Sequence, residues 1–343
     1  MFPLKILVVR FKQIGDSILA SPICNSLKKS FPNSQVDYVV YEHISPLFES
    51  HPHIDNVISI TKDEQKNVFK YIRKVRQITK VKYDIVIDIM STPKSELFTL
   101  FSLKSKYRIG RYKKKRGYTY THKIKEPHDA KDKVDKFLRM LGPLEEEYSI
   151  VYDSDYIISI HANEKEYMRN KMTDAGLDFS RPIFICAINS RVERKIYPIN
   201  NMLEIVQSVI NKFNAQVIFF YSPSEKDFAL NAKKALNDDK NIFVSIETKS
   251  IRELAMLISN CNMFFGNEGG PRHLAQSLNI PSFSIFCKHS DKKEWLSNSN
   301  EFHQGVEPND FVATTDYLSD REAYDLIRPD YVFQKISEIY KKI

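Results

Sequence analysis

Apolar residues fall in short runs, and stretches of helical spacing separate them along the whole chain. Runs at 4–9, 36–41, 57–60 and 84–90 read as buried strands, with a shorter one at 107–110. Helices are expected at 18–31, where Pro32 ends the pattern, and at 64–80, 94–103 and 129–141. In the last of these Val134, Phe137, Leu138 and Leu141 share one face. The alternation restarts after a polar stretch at 145–155 and a charged, helix-like linker within 156–177. Strands at 182–188, 216–221, 242–246, 263–265 and 280–286 then alternate with helices at 201–213, 225–236 and 251–260. A final helix is expected at 331–343, with Val332, Ile336 and Ile339 at helical spacing, while 288–325 is polar and gives no pattern. Repeated strand–helix units imply an α/β chain with two Rossmann-like, doubly wound parallel domains, one over 1–155 and one over 156–328. Such domains facing one another leave a cleft between two carboxyl edges, which suits a two-substrate reaction.

The sharpest local pattern is the strand ending at Phe264-Phe265, the turn Gly266-Asn267-Glu268-Gly269-Gly270, and a helix carrying Leu274, Ala275 and Leu278 on one face. A turn of this kind lies at the carboxyl edge of a parallel sheet, where glycines let backbone N–H groups approach a diphosphate and the helix N-terminus adds positive potential. Glu268 then faces a ligand as a hydroxyl acceptor, and Arg272 and His273 stand in the first helical turn as phosphate donors. The alternative is an ordinary turn whose glycines only supply positive φ.

Composition narrows the partners. The chain has 343 residues, 42% of them hydrophobic, and no apolar run approaches the roughly 20 residues of a membrane span. Its first ten residues run straight into a strand, without a leader pattern. Cys24, Cys186, Cys261 and Cys287 lie far apart in apolar segments and read as buried thiols of a cytoplasmic protein. A formal charge of +8 favours an anionic partner: phosphates, nucleic acid or a membrane surface. Much of the excess lies between Glu96 and Glu126, where ten Lys and Arg residues, including Lys113, Lys114, Lys115 and Arg116, meet no acid. Tyr107, Tyr112, Tyr118 and Tyr120 among these cations also suit a nucleic-acid binder, since bases stack on aromatic rings. Against that, the charge belongs to one loop rather than to a groove across two domains.

Two further places carry candidate chemistry. Asp16 follows the first strand at Gly15-Asp16-Ser17, either as a helix N-cap or as a general base for an acceptor hydroxyl. The segment 189–198 follows the first strand of the second domain; there Ser190, Arg191 and Lys195 are placed to hold phosphate oxygens, unless the loop is merely solvated. Glu225, after the strand at 216–221, is placed to meet ribose hydroxyls. Asp153-Ser154-Asp155 sits in the linker, the histidines lack metal spacing, and neither a Walker A lysine loop nor Gly-x-Gly-x-x-Gly occurs, so no metal site is expected.

Taken together, these stretches resemble one family, the family 9 glycosyltransferases or lipopolysaccharide heptosyltransferases. Lys5-Ile6-Leu7-Val8-Val9-Arg10 with Ile14-Gly15-Asp16-Ser17 is similar to its opening strand and Gly-Asp turn, and 30–38 and 53–57 continue the likeness. Lys195-Ile196-Tyr197-Pro198 resembles its Lys-x-Trp-Pro site, with Tyr197 for Trp. Glu268-Gly269-Gly270-Pro271-Arg272-His273 resembles its donor motif Asp-[Ser/Thr]-Gly-x-x-His, with Glu268 for Asp and Gly269 for Ser or Thr. The resemblance runs from about 4 to 287 and leaves the basic loop uncovered. It implies a GT-B fold whose last helix, 329–343, joins the first domain. It also implies inverting transfer from a nucleotide sugar, usually ADP-heptose, without an obligatory metal or cofactor. Asp16 would be the base, Lys195 would steady the diphosphate, and 268–273 would hold donor sugar and phosphates. The acceptor would be an anionic glycolipid core met by Lys113–Arg116, peripherally at the cytoplasmic face of the inner membrane, with no nucleic acid partner. Glu268, one methylene longer than Asp, leaves room for a different hexose or N-acetylhexosamine.

Overall fold

The computed structural model of the chain describes residues 3–343, which divide into two compact units after Ser159. The first unit runs β1 (Lys5–Val9), α1 (Ile14–Ala20), α2 (Pro22–Ser30), β2 (Gln35–Tyr41), β3 (Asn56–Ile60), α3 (Lys62–Lys66), α4 (Val68–Thr79), β4 (Ile85–Asp88), α5 (Glu96–Leu100), β5 (Tyr107–Arg111), β6 (His122–Ile124) and α6 (Lys133–Leu138). The second runs α7 (Ala162–Asp174), β7 (Ile183–Ala187), α8 (Ile199–Phe213), β8 (Gln216–Phe220), α9 (Lys226–Ala235), β9 (Ile242–Phe243), α10 (Ile251–Ile258), β10 (Met263–Asn267), α11 (Gly270–Ser277), β11 (Ser282–Ile285), α12 (Lys292–Trp295), β12 (His303–Val306), α13 (Asp320–Asp325) and α14 (Pro329–Tyr340).

Each unit is built on one parallel sheet, ordered β3-β2-β1-β4-β5-β6 in the first and β12-β11-β10-β7-β8-β9 in the second. Counted within its unit, each order is that of the doubly wound dinucleotide-binding fold, as the sequence pattern led us to expect. The strand order reverses between β1 and β4 and between β7 and β10, so the carboxyl ends of those pairs are where ligands bind. The central strands are apolar throughout because helices cover both faces: Ile6 to Val9 and Ile183 to Cys186 are buried.

Several expected elements are cut differently. The helix expected at 18–31 begins at Ile14 and is split at Ser21, because Pro22 opens α2 and has no N–H to donate. The helix at 64–80 is split at Asn67, whose extended backbone ends α3 and whose side chain caps α4 by accepting from Lys70 N at 3.1 Å. The segment at 129–141 is helical only from Lys133 and turns into a 3-10 stretch, Arg139–Glu146, around Pro143. Within 288–325 lie β12, the edge strand of the second sheet, and the short helices α12 and α13.

The first unit runs to Ser159, four residues past the expected boundary at 155. Residues 153–155 stay with the first unit because Ser26 and Asn25 of α2 bond their backbone: Asp153 N donates to Ser26 Oγ at 2.9 Å and Asn25 Nδ2 donates to Asp155 O at 2.5 Å. The expectation that helix 329–343 joins the first domain is corrected. Val332, Ile336 and Ile339 of α14 enter the second unit's core with Val206, Val209 and Phe265, and α14 packs on α8.

Candidate active site

In the second unit the reversal point is closed by backbone contact. Gly266 has φ +124°, and a Cβ there would stand 2.6 Å from Ala187 O, so only glycine lets β10 lie this close to β7. Asn267 locks the junction: Nδ2 donates to Ala187 O at 3.0 Å, and Oδ1 accepts from Tyr197 N at 2.8 Å. Tyr197 is buried, and its hydroxyl donates to Ile327 O, which fixes the segment 189–198. The following residue, Glu268, is buried, accepts from Cys287 N at 3.3 Å, and pairs with Lys195 Nζ at 2.9 Å. The stretches at 194–198 and 266–273 thus meet as a cation–carboxylate pair at the carboxyl ends of β7 and β10.

The first turn of α11 behaves differently from expectation. Arg272 is buried and donates to Gln276 Oε1, to Trp295 O at 2.6 Å and to His273 Nδ1 at 2.6 Å. It is committed inward and does not face the sheet edge as a phosphate donor. Burial, with Arg272 and Lys195 nearby, holds the His273 imidazole far below its ordinary pKa, so the ring is neutral. The same Arg272 Nη2 lies 3.3 Å from His273 Nε2, and because a guanidinium only donates, the neutral ring accepts from it. Gly269 caps α11 without a side chain; Pro271 has no N–H and Arg272 N donates to Gly269 O at 3.2 Å, so the Gly270 N–H is the donor this turn offers an anion.

The other expected donor residues lie around this centre. Ser190 is half-buried and Arg191 exposed on the segment after β7. Glu225 is half-buried and accepts from Ser222 N at 2.7 Å in a capping box, so part of its carboxylate is already used in shaping its own turn. Beside it, where β8 and β9 end, opens a cavity of about 340 Å³ lined by Tyr221, Pro223, Lys226, Ile246, Thr248 and Leu257. Sequence reasoning did not find this cavity, since its lining comes from separate loops.

In the first unit Asp16 is the third residue of α1, whose N-cap is Gln13, so the N-cap reading is not what the structure shows. Its Oδ1 lies 2.5 Å from Nη2 of Arg10, a buried guanidinium that also stacks on the Phe137 ring at 4.8 Å. On the adjoining strand, Asp88 is buried, and burial pushes its carboxyl up to about 6 despite bonds from the Tyr120 hydroxyl at 2.7 Å and Ser91 N at 2.9 Å. Arg10 and Asp88 were both missed. The available signal was a charged residue closing a wholly apolar strand.

The basic segment 104–125 is not one loop. β5 and β6 occupy part of it, and Arg108 is spent on Leu103 O, Ser105 O and Thr119 O. Lys113, Lys114, Lys115 and Arg116 form the exposed tip of the β5–β6 turn. Tyr107 and Tyr120 are buried, which removes them from any base-stacking surface, while Tyr118 is exposed. The linker acids carry structural contacts, with Asp153 paired to Lys29 at 2.8 Å, and no cluster able to hold a metal ion occurs among the described residues. All four cysteines are buried free thiols.

The profile of Glycosyltransferase family 9 (heptosyltransferase) matches residues 71–309. The chain belongs to glycosyltransferase family 9. It is 23% identical to lipopolysaccharide heptosyltransferase 1 of Campylobacter coli, over 98% of this chain and 99% of that protein. The family 9 glycosyl transferase of Veillonella parvula DSM 2008 shares the fold with a TM-score of 0.81 at 18% identity, over 100% of this chain and 99% of that one. The E. coli heptosyltransferase WaaC, solved with ADP-2-deoxy-2-fluoro heptose, has a TM-score of 0.73 at 15% identity, over 98% and 99% of the two chains. The two doubly wound units are therefore the Rossmann-like domains of a GT-B glycosyltransferase.

Proposed function

We propose that this family 9 enzyme moves a heptosyl unit from ADP-heptose onto an anionic lipopolysaccharide or lipooligosaccharide core, with inversion at the anomeric carbon. The observation that carries the reading is the Lys195–Glu268 pair at the β7/β10 reversal point, formed by the two stretches that resemble the family's donor motifs. Relatives named for heptosyl transfer, and one solved with an ADP-heptose analogue, support the donor. In this reading Lys195, the Gly270 N–H and His273 hold the diphosphate, while Glu268 accepts from sugar hydroxyls. Ser190 and Arg191 flank the phosphates, Gly269 and Gly270 give them backbone access, and Glu225 meets the ribose beside the cavity that takes the base.

The chemistry needs one base. The acceptor hydroxyl oxygen bonds to the anomeric carbon, the bond to the diphosphate oxygen breaks, ADP leaves with the electron pair, and Asp16 takes the hydroxyl proton. Arg10 orients that carboxylate. Lys195 supplies the positive charge for the leaving diphosphate, so no metal is required in this scheme. Lys113, Lys114, Lys115 and Arg116 meet the anionic acceptor, and the protein works peripherally at the cytoplasmic face of the inner membrane. No helix among the described residues is long and apolar enough to cross a membrane.

The decisive experiment is thermal stabilisation by ADP, UDP and GDP, followed by turnover with ADP-heptose and other ADP-sugars. ADP is expected to stabilise most and ADP-heptose to turn over fastest. Equal stabilisation by all three nucleotides removes the adenine donor. Faster turnover of an ADP-hexose identifies the second reading, which the longer Glu268 side chain favours.

A further inference from the structure

α4 (Val68–Thr79) has two unlike faces. Tyr71, Val75, Ile78 and Thr79 are buried, and the first three join the core of the first unit. The outward face is a stripe at helical spacing, Phe69, Ile72, Arg73, Arg76 and Lys80, which with Gln77 lines an open groove of about 600 Å³. Asn67 restarts the helix here, so Val68 and Phe69 form its first turn, and they are 65% and 85% exposed. The neighbouring α5 is held by Arg76, whose guanidinium lies 4.9 Å over the Phe101 ring, and beside Phe101 Leu100 and Leu103 are exposed.

The charge around this stripe has one sign. Residues 62–82 hold Lys62, Lys66, Lys70, Arg73, Lys74, Arg76, Lys80 and Lys82 against only Asp63 and Glu64. Lys70 pairs with Asp63 at 2.5 Å and Lys74 with Glu64 at 3.8 Å, while Arg73 and Lys80 form no ion pair among the described residues. An exposed aromatic at a helix start, ringed by long cations and backed by further exposed leucines, matches a bilayer interface with anionic headgroups. The apolar groups enter the acyl boundary while lysine and arginine stems let their charges reach the phosphates. An acidic protein would satisfy the charge but leave Val68 and Phe69 unexplained.

We propose that the outward face of α4, led by Val68 and Phe69, docks this protein on an anionic phospholipid surface. The topology gives the docking a use. β3 runs into α3 and α4 at its carboxyl end, so Val68 and Phe69 start from the sheet edge that also carries the β5–β6 basic turn and Asp16. That use rests on the function proposed above; the docking itself does not.

The test takes the full chain with vesicles of phosphatidylcholine alone or with phosphatidylglycerol added. The parent is expected to sediment with the anionic vesicles, less so as salt rises. Arg73→Ser/Lys80→Ser is expected to weaken partitioning about 30-fold, at the energy typical of each interfacial cation. Val68→Ser/Phe69→Ser is expected to weaken it about tenfold or more, and Phe69→Trp to blue-shift its emission only with anionic vesicles. Melting temperature and turnover on a delipidated, water-soluble acceptor should stay at parental values in all three. Vesicle binding unchanged by both sets of serines, or lost only with Lys113, Lys114, Lys115 and Arg116 replaced by Ser, overturns the proposal. So does a lipid-free dimer that Val68→Ser/Phe69→Ser abolishes, or parental binding to polyglutamate without vesicle binding. Turnover failing while vesicle binding behaves as expected refutes the transferase reading and leaves the docking intact.

Discussion

The Arg10 guanidinium is buried, its Nε finds no partner among the described residues, and the Asp16 carboxylate at 2.5 Å offsets the loss of water. That contact changes what a substitution at 16 reports. Asn at this position can still accept from Arg10 but cannot take a proton, so Asp16→Asn should fold with a somewhat lower melting temperature and bind ADP normally. Its turnover should fall about 10²–10⁴-fold, the usual contribution of a positioned base. Turnover within a few-fold of the parent, measured beside melting temperature and ADP affinity, removes Asp16 from the mechanism. A complementary outcome is expected in the second unit. Without ligand, Lys195 is held by Glu268 at 2.9 Å, and a diphosphate must compete with that carboxylate for the cation. Glu268→Gln should therefore tighten ADP about fivefold, the worth of a partly exposed ion pair, while slowing transfer from the sugar nucleotide. Calorimetric titration with ADP decides it, and weaker ADP binding by the variant contradicts a competing role for Glu268.

Asp88 closes β4 and ties that strand to the β5–β6 turn through the Tyr120 hydroxyl, whose ring packs against Gly117. Its carboxyl is raised from 3.8 to about 6 by burial, so between about pH 4 and 6 the folded state holds a proton that the unfolded chain has released. Stability from this group is full below pH 4 and is lost as pH rises through 6, about 3 kcal/mol in all. His51 and His303, both lowered to about 4 by burial, act in the opposite direction over this range, so the net slope alone is not diagnostic. The difference between the parent and Asp88→Asn isolates the carboxyl: urea unfolding from pH 4 to 6.5 should show the parent losing stability relative to the variant. Parallel curves contradict the raised value. Asp88 also shows why legibility in the sequence was uneven. β1, β2, β7, β8 and β10 announce themselves as apolar runs because they are covered on both faces, and the Gly266 turn announces itself because the strands there touch. β6 and β12, each at one edge of a sheet, are short and polar, so pairing rather than composition makes them strands. The α3–α4 break rests on one capping side chain, and the inward turn of Arg272 on a carbonyl, Trp295 O, that is distant in sequence. Periodicity carries none of these.

Each unit has its own sheet and its own buried cluster, and the final helix decides where one of them ends. Val332, Ile336 and Ile339 of α14 are buried with α8 and the central strands of the second sheet, and the Tyr340 ring packs 4.9 Å from both Phe184, tilted, and Phe213, edge-on. Removing α14 would expose this surface at about 1.5–3 kcal/mol for each large apolar side chain, comparable in sum to the whole stability of a domain. The residues proposed to bind the donor, between 190 and 273, all lie in the same unit. The segment 160–343 expressed alone is therefore expected to fold cooperatively and to bind ADP within a few-fold of the full chain. The segment 160–328, ending where the family resemblance placed the domain boundary, is expected to aggregate or to show no cooperative transition. Urea unfolding of both segments, with and without saturating ADP, makes the comparison. If 160–328 folds and binds ADP as well as 160–343 does, α14 is dispensable to this unit and its packing on α8 is incidental. If neither segment binds ADP although 160–343 is folded, the nucleotide site draws on residues of the first unit, and the proposal that the second unit alone holds the donor falls with it.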